Sequence, residues 1–225
     1  MTDRSLVSPA TRDRVRGWAV PIALAMGRIG LTPNGLTVIG FGGTCLAAWF
    51  AATQQWVVAG VLVLGFGVFD LFDGALARAT GRASRFGAFL DSTLDRTGEN
   101  LVLAAVAVGC ASLWMPFVEG VVLAGLALAF ASVVTYTRAK AEALGLHGEV
   151  GFAPRPERLI LLAVGLVLGG WLEVGYRYNG FPPFELYPGS LVLALMLGLI
   201  SFLSAITIVQ RILHVKRQLE QQENS

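Results

Sequence analysis

Charge is scarce in this chain. Only 14% of its 225 residues are Asp, Glu, Lys or Arg, and the formal net charge is +2, too small to argue for a nucleic-acid partner. Cysteine is nearly absent: Cys45 and Cys110 lie in separate apolar segments and read as packing residues rather than a disulfide, so they say little about redox compartment. The histidines, His147 and His214, stand alone, and neither is expected to ligate a metal. No small-residue cleavage site follows the short apolar run at 19–26, which argues against a signal peptide. No internal repeat is visible, which weighs against a transporter made of duplicated halves.

What the chain has instead is apolar length. It is 55% hydrophobic with a mean hydropathy of +0.65, which places it among polytopic, all-α membrane proteins with one membrane domain. Six spans are expected, at about 36–52, 56–79, 87–114, 117–136, 154–174 and 191–213. Residues 1–30 read as an interfacial amphipathic helix bent near Pro21, its apolar arc formed by Val15, Trp18, Ala19, Ile22, Met26 and Ile29, with arginines outside that arc. The membrane domain then covers 31–215, and 216–225 form a tail. The loops at 53–55 and 111–116 hold no Lys or Arg, and 175–189 holds only Arg177. The positive-inside rule therefore puts both termini, and the polar loop at 80–86, in the cytoplasm.

The expected second and third spans meet in an acidic stretch. Asp70, Asp73, Gly74, Ala77 and Arg78 follow the i, i+3, i+4, i+7, i+8 rule and share one helical face; Gly87, Asp91 and Asp95 repeat it at i, i+4, i+8. If the two helices run antiparallel, four carboxylates converge over a floor of small residues. Apolar segments flank them on both sides, so the acids lie at membrane depth, where one unpaired carboxylate costs roughly 2.5–3.5 kcal/mol. Divalent cations would offset that cost. Oxygen donors without a Cys or His cluster favour two Mg²⁺ ions, or Mn²⁺, over zinc. Glu99 and Asn100 continue the acidic stripe and are placed to orient the ligands.

The pattern D-x2-D-G-x2-A-R-x8-G-x3-D-x3-D, carried by Asp70, Asp73, Gly74, Ala77, Arg78, Gly87, Asp91 and Asp95, resembles the signature of the CDP-alcohol phosphotransferases. The resemblance implies a homodimeric membrane enzyme that transfers the phosphatidyl group of CDP-diacylglycerol to an alcohol and releases CMP. By resemblance Asp70, Asp73, Asp91 and Asp95 hold metal, and Asp95 also removes the proton from the attacking hydroxyl. Pro33, Asn34 and Thr37, from a Leu-Thr-Pro-Asn stretch that also reads as a helix cap, join Gly74, Ala77, Arg78 and Ser84 around the CDP-lipid.

Basic residues beyond the motif point to a phosphorylated acceptor. Tyr136-x-Arg138-x-Lys140, Arg155-Pro156-Glu157-Arg158 and Gln210-Arg211 are similar to segments of actinobacterial phosphatidylinositol phosphate synthases, although the chain departs from them at Thr135 and in the order of Arg138 and Lys140. That likeness implies inositol 1-phosphate as acceptor, its phosphate held by Thr135, Arg138, Arg158 and Arg211, in a plasma-membrane protein. Three alternatives stay open: glycerol 3-phosphate as acceptor, giving a phosphatidylglycerophosphate synthase; a cation-coupled transporter using the intramembrane acids; and a scaffold that keeps the metal site for folding alone.

Overall fold

The computed structural model describes residues 9–111, 118–148, 150–152, 154–178 and 188–223. The described residues form eight helices and no strand: α1 (Pro9–Arg28), α2 (Pro33–Ala52), α3 (Trp56–Gly67), α4 (Phe69–Ala79), α5 (Arg85–Cys110), α6 (Val118–Ala143), α7 (Arg155–Tyr178) and α8 (Pro188–Glu223). The expected span ends at 112–117 and most of the loop at 175–189 lie outside the described residues.

Six helices close into a ring. Going round it, α2 packs on α3, α3 on α7, α7 on α8, α8 on α6, α6 on α5, and α5 on α2 again. Small side chains at the centre make the closure possible: Ala47, Ala51, Ala59, Ala124, Ala127 and Ala163 are fully buried among Val102, Val106, Leu166 and Leu197. In a bilayer, lipid tails are as apolar as leucine, so helices hold together by close contact rather than by hydrophobic exclusion, and small residues permit that contact. Gly165 and Gly169, the pair spaced for such packing, face Met196 and the Gly189 carbonyl of α8.

Gly60 gives a direct measure of this closeness. A Cβ there would stand 2.7 Å from Val167 Cγ2 and 2.8 Å from the Ala163 carbonyl oxygen, whereas a Cβ on Gly65 would meet no atom within 4 Å. Gly60→Ala should therefore pry α3 from α7 and destabilise the protein by about 1–3 kcal/mol. Gly65→Ala should be neutral or slightly stabilising, since alanine is the better helix former. Thermal melts of the two variants in detergent check the contrast.

Among the described residues, four helical stretches are long and apolar enough to cross a membrane: Pro33–Ala52, Trp56–Ala79, Val118–Ala143 and Pro188–Glu223. Helices α5 and α7 occupy the positions of the expected third and fifth spans, but α5 carries Asp91, Asp95, Arg96 and Glu99, and α7 carries Arg155, Glu157, Arg158 and Glu173. The expected second span is broken at Val68 into α3 and α4. Beyond the break α4 leaves the ring and packs between α1 and α2. Helix α6 continues past 136 to Ala143, and α8 past 213 to Glu223, taking in most of the expected tail.

The expected N-terminal arc divides between contact with α4 and the exposed surface. Helix α1 runs through Pro21, and Ala19 and Ala23 are buried against Phe72, Ala75 and Leu76 of α4, with Met26 packed beside them. Ile22 and Ile29 stay exposed. Gly27 lets α1 approach α4 closely: a Cβ there would stand 2.8 Å from Leu76 Cδ1.

Candidate functional site

The site is built where α2, α4, α5 and α7 approach. Thr32 caps α2 by accepting a hydrogen bond from the Gly35 amide at 3.1 Å, with Pro33 in the first turn, where a missing N–H costs nothing. One turn on, Thr37 Oγ1 donates to Asp73 Oδ2 at 2.7 Å. This buried link ties α2 to α4 and fixes the carboxylate of Asp73, which is only 5% exposed. Ser84 caps α5 in the same manner as Thr32, accepting from the Gly87 amide at 2.9 Å.

Two glycines leave room that a side chain would fill. A Cβ on Gly87 would lie 3.0 Å from Asn34 Oδ1 and 3.1 Å from Ser84 Oγ, and one on Gly74 would lie 3.2 Å from the Arg78 guanidinium. Asn34, Ser84 and Gly87 thus form one polar cradle, and Arg78 folds over Gly74 beside it. Pro33 and Ala77 are half-buried nearby on α2 and α4.

Asp70, Asp91 and Asp95 converge. Each offers a carboxylate oxygen, and these oxygens lie within 4.8 Å of one another. Two of the three follow from the i, i+4 spacing on α5; the third, Asp70, comes from the first turn of α4. Asp73 stands beside this group, near enough to feel the charges of Asp70 and Asp91, with Oδ2 accepting from Thr37. The residues fit a hard divalent cation. All donors are oxygens, and Asp91 Oδ1 is buried without a hydrogen-bond partner, an arrangement that costs free energy unless a cation meets it.

A cation from the protein already lies there. Arg155, at the first position of α7, donates through Nη1 to both Asp70 Oδ2 and Asp95 Oδ2. Sequence reasoning placed Arg155 only among general acceptor-side cations. The signal that would have found it is its spacing of three from Arg158, which puts both on the face of α7 that meets the acidic stripe 91, 95, 99 of α5.

Arg158 does not reach that cluster. Its Nε and Nη2 grip Glu99 Oε1 and Oε2 at 2.7 and 2.9 Å, and the two side chains are 2% and 4% exposed. Arg211 is buried too: Nε donates to the Val150 carbonyl at 2.9 Å, and Nη1 donates to the Val134 carbonyl. Thr135 donates to backbone carbonyls of its own helix. Arg138 pairs with Glu142 one turn on, at 2.8 Å, half in solvent. Asn100, grouped with Glu99 in the sequence, turns to Ser132 of α6, 3.2 Å away. The four residues expected to share an acceptor phosphate therefore divide into two near the open end of α6 and two locked inside the ring.

The family model described as CDP-alcohol phosphatidyltransferase matches residues 30–208. The phosphatidylinositol phosphate synthase of Cutibacterium acnes is 37% identical over 215 residues, covering 91% of this chain and 96% of that protein. The crystal structure of Mycobacterium tuberculosis phosphatidylinositol phosphate synthase with CDP-DAG bound superposes with a TM-score of 0.73 at 32% identity, covering 88% of this chain and 92% of that one. The same enzyme solved with manganese and citrate gives a TM-score of 0.74 at 32% identity, with 88% of each chain covered. Coverage of this extent takes in every helix that carries the cluster and the cradle, and this chain belongs to the CDP-alcohol phosphatidyltransferase family.

Proposed function

We propose that this chain transfers the phosphatidyl group of CDP-diacylglycerol to a hydroxyl of inositol 1-phosphate, giving phosphatidylinositol phosphate and CMP. The observation that carries the reading is the convergence of Asp70, Asp91 and Asp95 beside a glycine-floored cradle, in a chain whose relatives of matching length are named phosphatidylinositol phosphate synthase.

Asp70, Asp91 and Asp95, with Asp73 one turn along α4, would hold two divalent ions, Mg²⁺ by the hardness of the donors. Bound there, such ions supply charge neutralisation for the diphosphate and polarise its phosphoryl oxygens. Asn34, Ser84, Gly74 and Arg78 receive the CDP group, and the glycines keep the floor low enough for it. Asp95 accepts the proton of the attacking hydroxyl as its oxygen bonds to the phosphatidyl phosphorus, while the P–O bond to CMP breaks and CMP leaves with the bonding pair. The acceptor's phosphate falls to Arg155 and to Thr135 and Arg138 at the end of α6. Arg158 and Arg211 serve the same subsite indirectly, by bracing α7 and α8.

The proposal includes six spans, with α5 and α7 crossing beside the four apolar stretches. Their 26 and 24 residues reach about 39 and 36 Å at 1.5 Å per residue, enough for a hydrocarbon core of about 30 Å, and their place in the closed ring supports the crossing. Charge asymmetry sets the orientation: the site opens to the cytoplasm at the plasma membrane, and exposed Trp49 and Trp171, toward the far ends of α2 and α7, suit the opposite interface. A homodimer belongs to the proposal on family resemblance.

Purified protein with CDP-diacylglycerol and Mg²⁺, given inositol 1-phosphate, free inositol or glycerol 3-phosphate in separate reactions, tests this reading. CMP release should be fastest with inositol 1-phosphate and should stop on addition of EDTA. Equal or faster release with glycerol 3-phosphate replaces the acceptor, and EDTA-resistant release removes the metal from the mechanism.

A further inference from the structure

Arg155 occupies the convergence point of the carboxylates, and its charge is too small for the place. One guanidinium faces Asp70, Asp91 and Asp95, leaving two of three negative charges without a counter-charge, while Asp91 Oδ1 has no hydrogen-bond partner. The contact is also partial on the arginine side, since the buried Arg155 Nε bonds to nothing among the described residues. A residue placed purely for structure has its donors satisfied, as Arg158 does on Glu99 within the same helical turn.

We propose that Arg155 is an exchangeable internal cation: it holds Asp70 and Asp95 until a divalent ion takes the same oxygens, and metal binding releases its guanidinium toward the acceptor side. The idea rests on the metal-site reading above and extends it to an order of events. A divalent ion brings two charges where Arg155 brings one, so it wins the carboxylates, and the freed guanidinium then faces the incoming anion. Anionic acceptor is thereby welcomed only after metal is in place. Asp95, engaged by Arg155 beforehand, is withheld from proton transfer until that moment.

Mn²⁺ binding followed by the electron paramagnetic resonance of the free ion gives the first test. Arg155→Gln removes the competing charge and should tighten Mn²⁺ by about tenfold or more, taking as the scale the tenfold or greater change that one charge within 4–6 Å makes in a carboxylate's proton affinity. Arg155→Lys, which keeps a cation, should stay near wild type. Unchanged or weaker binding in Arg155→Gln, or the same tightening in both variants, overturns the proposal. A second measurement needs no variant: phenylglyoxal labelling of Arg155 in the wild-type protein, read by peptide mass spectrometry, should rise when Mg²⁺ replaces EDTA, and labelling that stays level or falls overturns it. Wild-type protein that binds no Mn²⁺ sinks the metal site itself, whereas Mn²⁺ binding without an Arg155 effect sinks only the exchange.

Discussion

Asp95→Asn is expected to yield a protein that inserts, binds CDP-diacylglycerol and releases CMP at a rate lower by at least about 10²–10⁴, the usual worth of a general base. The substitution is nearly isosteric and leaves Arg155 its second carboxylate, Asp70, so the fold has little reason to change. What disappears is a charged oxygen that, like that of Asp70, both lines the cavity with Glu99 and Arg155 and belongs to the converging acids. Mn²⁺ binding separates the two roles given to this carboxylate. Near-normal Mn²⁺ affinity with lost turnover assigns it chiefly to the proton; affinity lost in step with Asp91→Asn assigns it to the metal. Turnover at the wild-type rate removes the base assignment altogether.

Helical periodicity alone placed Asp91 and Asp95 on one face, and the structure keeps them there because α5 is unbroken from its Ser84 cap onward. The cap at the Leu-Thr-Pro-Asn stretch is equally legible, since a Thr before Pro-Asn at a helix start favours a capping geometry. Periodicity did not show what each face meets. Asp73 shares its helix face with Asp70, yet a threonine 36 positions earlier takes its carboxylate, and no local pattern encodes that encounter. The break at Val68 was hidden as well, because an apolar run containing Gly65 and Gly67 reads the same whether straight or broken. Likeness to phosphatidylinositol phosphate synthases gives Arg158 and Arg211 to an acceptor phosphate; their burial depends on Glu99, 59 residues from Arg158, and on carbonyls of α6 and the loop after it. Chemistry carried by spacing within one helix was therefore readable, and chemistry made by packing between helices was not.

The Arg158–Glu99 pair should prove the most sensitive point of the fold. Both side chains are almost wholly removed from solvent and joined by two parallel hydrogen bonds. The gain from their attraction offsets the cost of burial only while both are present. Glu99→Gln removes the negative charge that the guanidinium grips, and Arg158→Met removes the positive one from the carboxylate; each should cost about 3–5 kcal/mol, a large share of a typical folding free energy. The double variant Glu99→Gln/Arg158→Met should recover most of that loss, because removing both charges avoids the penalty each single change creates. Thermal melts in detergent, with yield of monodisperse protein as a second readout, check the pattern. The comparison also decides between two roles for Arg158. If it instead held the acceptor's phosphate, Arg158→Met would melt like the wild type and show a raised KM for the acceptor alone. A bracing role predicts the reverse order of effects, since Arg155 lies one turn away on α7 and is presented to Asp70 and Asp95 only while that turn is held against α5.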